Sequence, residues 1–409
     1  MPGACRLRTS AAASSSIERS SWREARRKRA VMNKPRSTRR VALPIVAIVV
    51  VFSIVAVAFA TSRDGGGTQS SAARSTDGVG PVGTIWVANE QGDTLTAIDA
   101  RTASVRMTAT GIAAPHNIQA SDDGSQVWAV SGRDSQLVGI DTVRMRQIGR
   151  VPTGSHPAHV VLAADAGAAY VTGSKADDVT EIDLARLRRR ASVEVGSYPH
   201  GLRPSPDGRL LLVANMKGES VSVINRAGMR RIGDIDVGDA PVQVAWMPDG
   251  RHAFVSLHGE DAVVKIDVGS RRVVGRADTD PGPAQIFVTA DGSRLLVANQ
   301  GSAQDPSSTL SVIDPRTMKT ITTIETGRGA HGVAADPTGR FAFVTNMYAD
   351  EVAFVDLDKR TVIARTKVGA LPNGISFSPR PLRDDVPASI RLEPLKAPNV
   401  GHGHDGDAH

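Results

Sequence analysis

One cysteine stands in 409 residues, and it is Cys5, inside a basic N-terminal arm. Everything after that arm is without thiols, which excludes a disulfide framework, a haem-attaching Cys-x-x-Cys-His motif and a thiol nucleophile there. A Ser-His-Asp order, a His-Glu-x-x-His pair and a Gly-rich phosphate loop are absent too, so the familiar sequence signatures of catalysis are missing. A basic excess is absent from most of the chain as well. Residues 1–40 hold 12 Lys or Arg against Glu18 and Glu24, and the remainder has 37 basic against 40 acidic residues. The high isoelectric point belongs to the arm, and nucleic acid is not an expected partner of the rest.

The arm runs into Val41–Ala60, twenty uncharged and mostly apolar residues behind Arg36, Arg39 and Arg40. That length is enough to cross a hydrocarbon core as one hydrophobic N-terminal helix, with the positive flank inside and everything downstream outside. Two fates fit: a retained membrane anchor, or a signal peptide cut near the small-x-small Ala58-Phe59-Ala60. No cysteine follows the run to accept a lipid. A start at Met32 would give a compact basic segment before the apolar run. The expected location is extracytoplasmic, anchored or secreted, and residues 61–81 read as a flexible linker.

What the chain does have is repetition. A hydrophobic run ending in a polar residue recurs at Asp99, Asp141, Asp183, Asn225, Asp267, Asp314 and Asp356, at intervals of 42, 42, 42, 42, 47 and 42. A second column, Asn89, Ser131, Gly173, Asn215, Leu257, Asn299 and Asn346, has its long interval one step later. The five extra residues therefore lie between Asn299 and Asp314, in a stretch of loop composition. A period near 42 in short alternating runs marks a β-propeller, whose sheets bury their faces only against neighbours. Asp-Gly pairs at Asp123-Gly124, Asp207-Gly208, Asp249-Gly250 and Asp291-Gly292 supply hairpin turns, giving four strands per repeat. The pattern opens at Ile85–Asn89, a second strand, and closes at Gly374–Phe377, a first strand. The expected fold is all-β: a seven-bladed propeller of four-stranded blades over residues 82–379, closed by pairing of the C-terminal first strand with the three N-terminal strands.

The runs Tyr170-Val171-Thr172, Leu211-Leu212-Val213-Ala214-Asn215, Phe343-Val344-Thr345-Asn346, Ser311-Val312-Ile313-Asp314 and Ser205-Pro206-Asp207-Gly208-Arg209 resemble YVTN-type (YncE-like) seven-bladed propeller repeats over about residues 82–379. The resemblance implies an extracytoplasmic binding or scaffolding module, on a fold that also hosts enzymes.

Polar chemistry gathers on one face. His116, His156, His159, His200 and His331 fall in the turns entering the innermost strand, and His258 falls in a second-to-third loop. His116, His200 and His331 share one repeat position with Asn373, and His159 is one residue later. The blades carrying His331, Asn373, His116, His159 and His200 are consecutive, so these side chains are expected to form an arc at the channel mouth. The same face holds Glu90, Asp93, Asp134, Asp177, Asp178, Glu219, Asp350 and Glu351, while arginines follow the third strand to the opposite face. A negative, imidazole-bearing mouth favours cations, zinc or copper among them. In the alternative reading, histidines in these Pro-x-Gly turns simply cap strands or bond backbone carbonyls.

From residue 380 the periodicity stops, and a disordered tail is expected, ending in His402, His404, Asp405, Asp407 and His409. Such a tract collects metal ions or merely solubilises the end. Together with the arc it resembles the logic of periplasmic metal-chaperone propellers. Expected partners are a protein or small ligand at the top face, and the membrane through residues 41–60 if that segment is kept. Three functions stay open: a scaffold, a metal-binding or metal-delivering protein, and a lactonase-like hydrolase using His200, His331 and a neighbouring carboxylate. The once-per-blade aspartates suit a turn bond better than catalysis.

Overall fold

In a computed structural model, residues 79–395 are described. The arm, the apolar run, nearly all of the linker and His402, His404 and His409 lie outside them, and among the described residues no helix is long and apolar enough to cross a membrane.

Six sheets of four antiparallel strands and one of five make up the described part. We number the blades from the N-terminus. The first blade joins both ends: Pro372–Ser378 is its innermost strand, paired antiparallel with Thr84–Asn89, followed outward by Thr94–Asp99 and Ser104–Thr110. The other innermost strands are Pro115–Ala120, Pro157–Leu162, Pro199–Pro204, Pro241–Trp246, Pro283–Val288 and Ala330–Ala335. Each touches the next and the last touches the first, so the ring is closed with seven blades.

Seven hydrophobic clusters fill the gaps between blades. Leu212, Val221, Val244 and Trp246 lie between the fourth and fifth, and Phe343, Phe354, Ile85 and Ile375 between the seventh and first. Period-two alternation sends each strand's apolar residues into the gaps on either side, so each sheet is buried on both faces and isolated blades have no core of their own.

The polar columns explain the repeat. Asp99 Oδ1 accepts from Arg101 N and Thr102 N at 2.9 Å each, and Asp141, Asp183, Asn225, Asp267, Asp314 and Asp356 make the same kind of turn bond. The hairpin glycines Gly124, Gly208, Gly250 and Gly292 have φ of 68, 67, 66 and 65°, the left-handed conformation that the Asp-Gly turns demand.

Residues 380–395 correct the expectation of a disordered tail from residue 380. Ser389–Arg391 adds a fifth strand to the first blade, parallel to Ser104–Thr110. Leu382, Val386 and Ile390 pack on the cluster containing Trp86 and Met107, and Leu392 is buried within it. Arg150 fastens the end of this strap, its guanidinium donating to the carbonyls of Glu393 and Gly111. The loss of repeat periodicity at residue 380 reflected the end of the blades, and the apolar residues spaced through Leu382–Leu392 still had a groove to fill. The strap covers an outer edge strand and reinforces the ring at its seam.

Candidate histidine centre at the channel mouth

Every innermost strand begins irregularly. In blades two to seven the pairing with the second strand skips from the first residue of the strand to the fourth, as between Pro199 and Leu202. The second and third residues are thereby released from the ladder, as in a β-bulge that re-aims side chains. These are the positions of His116, His200, His331 and Asn373 (second) and of Asn117, His159, Gln243 and Gln285 (third).

Hydroxyls on the second strands replace part of the lost ladder. Thr172 Oγ1 accepts from His159 N at 3.0 Å and donates to His200 O at 2.8 Å; Thr345 Oγ1 accepts from Gly332 N at 2.7 Å and donates to Asn373 O at 2.9 Å. The threonine of the Tyr-Val-Thr and Phe-Val-Thr runs thus ties one blade's inner strand to the next. Glycine at the third position lets adjacent inner strands approach: a Cβ on Gly332 would lie 2.8 Å from Thr345 Oγ1, one on Gly201 2.3 Å from Gln243 Oε1, and one on Gly374 2.6 Å from Asn117 Cα.

The mouth brings four of the expected histidines together. The His159 and His200 rings are 4.6 Å apart, those of His116 and His200 5.2 Å, of His116 and His159 5.6 Å, and of His116 and His331 6.3 Å. His159 is fully buried, His200 and His331 are buried, and His116 is half-buried. One nitrogen from each of His116, His159 and His200 lies within 4.8 Å of the other two. His156 is exposed and His258 half-exposed, and neither ring joins a contact with this group.

Hydrogen-bond partners orient the rings. His200 Nδ1 faces Val242 O at 3.1 Å and donates to it, which leaves a lone pair on His200 Nε2. His116 Nδ1 lies 3.2 Å from Glu90 Oε2 and 2.9 Å from Asn373 Nδ2, so it donates to the carboxylate in one tautomer and accepts from the amide in the other. Asn373 Nδ2 donates to the same Glu90 oxygen at 2.7 Å. His116 Nε2 and His200 Nε2 meet at 3.1 Å; with the proton on His116 Nδ1 both offer a lone pair, and with it on Nε2 the one donates to the other. Two lone pairs at that distance repel unless a proton or a metal cation sits between them. His159 Nε2 and His331 Nδ1 are buried with no partner.

Burial pulls His200 and His331 down to about 3, with the neighbouring His116 adding to the effect, and it holds His159 far below the ordinary imidazole range together with His200. These rings are neutral at pH 7. Burial works against ionisation of Glu90, but the hydrogen bond and charge of His116, with the Asn373 amide, hold it at about 2. The site is a carboxylate orienting one imidazole, a carbonyl orienting a second, and a third imidazole unsatisfied. Neutral nitrogen donors held by second partners suit zinc or copper.

The remaining acids serve another purpose than expected. Asp93, Asp177 and Asp350 accept from the main-chain nitrogens of Ala114, Tyr198 and Leu371 at 2.8, 2.7 and 2.9 Å. The three donating residues have positive φ just before the innermost strand, so the acids brace strained turns of the following blade. Glu90 is the one that reaches the histidines. The signal was present in the sequence: Glu90 follows the second strand at a position where the other blades have Gly132, Ser174, Met216, His258, Gln300 and Met347.

A family model described as a YNCE-like beta-propeller matches residues 52–337. None of the curated proteins compared matches the chain. Among solved structures, Kuenenia stuttgartiensis hydrazine synthase is 21% identical with TM-score 0.60, covering 65% of this chain and 90% of that one. A Desulfotomaculum acetoxidans protein of unknown function is 16% identical with TM-score 0.65, covering 72% and 99%. A candidate 6-phosphogluconolactonase from Bacteroides fragilis is 16% identical with TM-score 0.63, covering 75% and 99%. At these identities the likeness is one of fold.

Proposed function

This chain belongs to the YNCE-like β-propeller family, and from that premise we propose that it is an extracytoplasmic protein that binds a transition metal, zinc or copper, on His116, His159 and His200 at the mouth of its channel. One observation carries the reading. His116 Nε2 and His200 Nε2 lie 3.1 Å apart while their other nitrogens are held by Glu90 with Asn373 and by Val242. Two nitrogens on one tetrahedral ion, each about 2.05 Å from it, lie roughly 3.3 Å apart. His331 stands beside the trio, and three protein nitrogens leave a coordination position for an exchangeable ligand, which suits delivery.

The strap supports a part for the His-rich end. Ser104–Thr110 runs toward the turn that precedes Pro115, and Ser389–Arg391 runs parallel to it. The chain therefore leaves Leu392 on the face of the mouth, and His402, His404 and His409 follow within seventeen residues. The test is elemental analysis of the full chain purified without chelators, followed by zinc and copper titration. About one metal per chain is expected, falling to background in the double variant His116→Ala with His200→Ala; unchanged metal content in that variant would sink the reading. The second reading is lactone hydrolysis at the same mouth, using His200, His331 and the neighbouring Glu90 carboxylate. It predicts turnover on a panel of lactones by the metal-free protein.

A further inference from the structure

Variation from blade to blade marks a second place on the ring, at its outer rim. Among the described residues each outermost strand leaves one edge of its sheet unpaired, except where the strap meets Ser104–Thr110. A free edge is a template for another strand, and proteins guard it with charges, proline or breaks in the strand. A charge or a glycine stands inside six of the outermost strands, at Arg106, Gly149, Arg189, Gly233, Gly275 and Arg365. The outermost strand of the sixth blade, Lys319–Glu325, has neither. Between its two ends run Thr320, Ile321, Thr322, Thr323 and Ile324, all β-branched and of high strand preference.

This edge also has an apolar side chain left over. Every outermost strand bulges at one position, held by Ile148, Ile232, Ile321 and Ile363 in blades two, four, six and seven. Ile148, Ile232 and Ile363 pack on the clusters between blades. Ile321 is 43% exposed and joins none of those clusters. Thr320 and Thr323 beside it are exposed too. The rim of the fifth blade adds the exposed Val273 and Val274, and it adjoins this strand: a Cβ on Gly275 would lie 3.0 Å from Met318 Cγ.

The strap shows what such an edge accepts. Ser389–Arg391 pairs with residues 108–110, the stretch of the first blade's outermost strand past its bulge. Residues 323–325 hold the same places in the sixth blade, past the bulge between Val312 and Ile313. Charge says which strand fits there. Lys319 opens the strand and Glu325 closes it; both are exposed, and neither has an ion-pair partner among the described residues. An antiparallel copy of the same strand sets Lys319 of each chain beside Glu325 of the other, with the isoleucines and threonines between.

We infer that this chain pairs with a second copy of itself, edge to edge and antiparallel, through Lys319–Glu325 about a twofold axis. Two four-stranded sheets become one continuous sheet, and Ile321 leaves water. The histidine mouth stays open, since it is built on the innermost strands, at the opposite edge of each sheet.

The experiment is sedimentation equilibrium of the full chain in a mild detergent, which keeps the apolar run Val41–Ala60 from associating. A monomer–dimer equilibrium is expected. Ile321→Lys, which places a charge inside the exposed edge, should weaken it at least tenfold. Val105→Lys, an equally exposed site on the first blade, should associate as the parent does. Lys319→Glu should weaken pairing severalfold, and Lys319→Glu with Glu325→Lys should restore it, a rescue that a merely misfolded variant would not show. In a Cys5→Ser background, which is free of other thiols, Thr323→Cys should cross-link two chains under mild oxidation. A parent that is monomeric at every concentration, its edge then free for a different protein, would overturn the inference. So would parent-like association of Ile321→Lys, or assemblies larger than dimers in which Thr323→Cys does not cross-link.

Discussion

At the end of every third strand stands an acid or its amide, Asp99, Asp141, Asp183, Asn225, Asp267, Asp314 or Asp356. At the second position of every first strand stand His116, Ala158, His200, Val242, Ala284, His331 and Asn373. The first set is nearly uniform, and each member bonds the main chain of its own turn, so each side chain is explained within a few residues of itself. The second set varies from blade to blade, and its histidines meet one another across blades with nitrogens left over. Within a repeat protein, a residue that returns in every unit with the same local partner specifies the unit. A residue that appears in some units only, and is unsatisfied there, specifies a place on the assembled ring.

Acid should break the two sets at different pH. His159, His200 and His331 are held below the ordinary value of 6.5, the latter two at about 3. As pH falls from 6.5, the unfolded chain takes up protons that the folded chain refuses, so stability drops. The slope is about 1.4 kcal/mol per pH unit for each such ring. Asp141, Asp183, Asp267, Asp314 and Asp356, whose values are lowered, keep their contribution until pH falls below the ordinary carboxylate range. Thermal melts of the metal-free protein should lose midpoint steeply between about pH 6.5 and 4, with His200→Gln flattening the curve. A midpoint independent of pH across that window would show that the rings are solvated and the contrast false.

The uniform set has its own test. Asp356 is buried, accepts from Asp358 N and Lys359 N at 3.1 Å each, and meets Arg340 at 3.0 Å. Asp356→Ala should cost about 2 kcal/mol in denaturant unfolding, the penalty of unmade buried bonds, while metal affinity at the mouth stays within twofold. A fall in metal affinity to match would mean the two ends are coupled through the blade.

Much of this was legible in the residues before any coordinates. The 42-residue period gave the blade count, and the start of the pattern at a second strand gave the closure, because each follows from local turn chemistry repeated seven times. The second-position histidines could be placed on one arc from ring order alone. Glu90 was one of eight acids placed on that face, and although its repeat position holds no other acid, only the folded turns show Asp93, Asp177 and Asp350 spent on bracing main-chain nitrogens. The strap was missed for a related reason: its apolar residues match no repeat, and their groove on the first blade exists only once the ring has closed.

That partner offers the sharpest probe of the varied set. Glu90→Gln keeps the shape and removes the charge that favours a proton on His116 Nδ1. Loss of a carboxylate orienting a metal-bound imidazole lowers affinity by about tenfold or more. Zinc competition titration of Glu90→Gln should show that loss with unfolding midpoints near those of the parent. Unchanged affinity would reduce Glu90 to one more brace, like Asp93.

The smallest effect is expected where the chain leaves the ring. Residues 399–409 follow the strap in sequence and carry His402, His404 and His409. A tethered collector acts by effective concentration, so its removal should weaken metal uptake a fewfold at limiting metal and leave the saturated stoichiometry of the centre at one. Uptake equal to that of the full chain would refute the collecting role and leave the histidine centre standing alone. If the stoichiometry of the centre itself fell, the tail would be supplying a ligand, and the open fourth position would belong to the chain's own end.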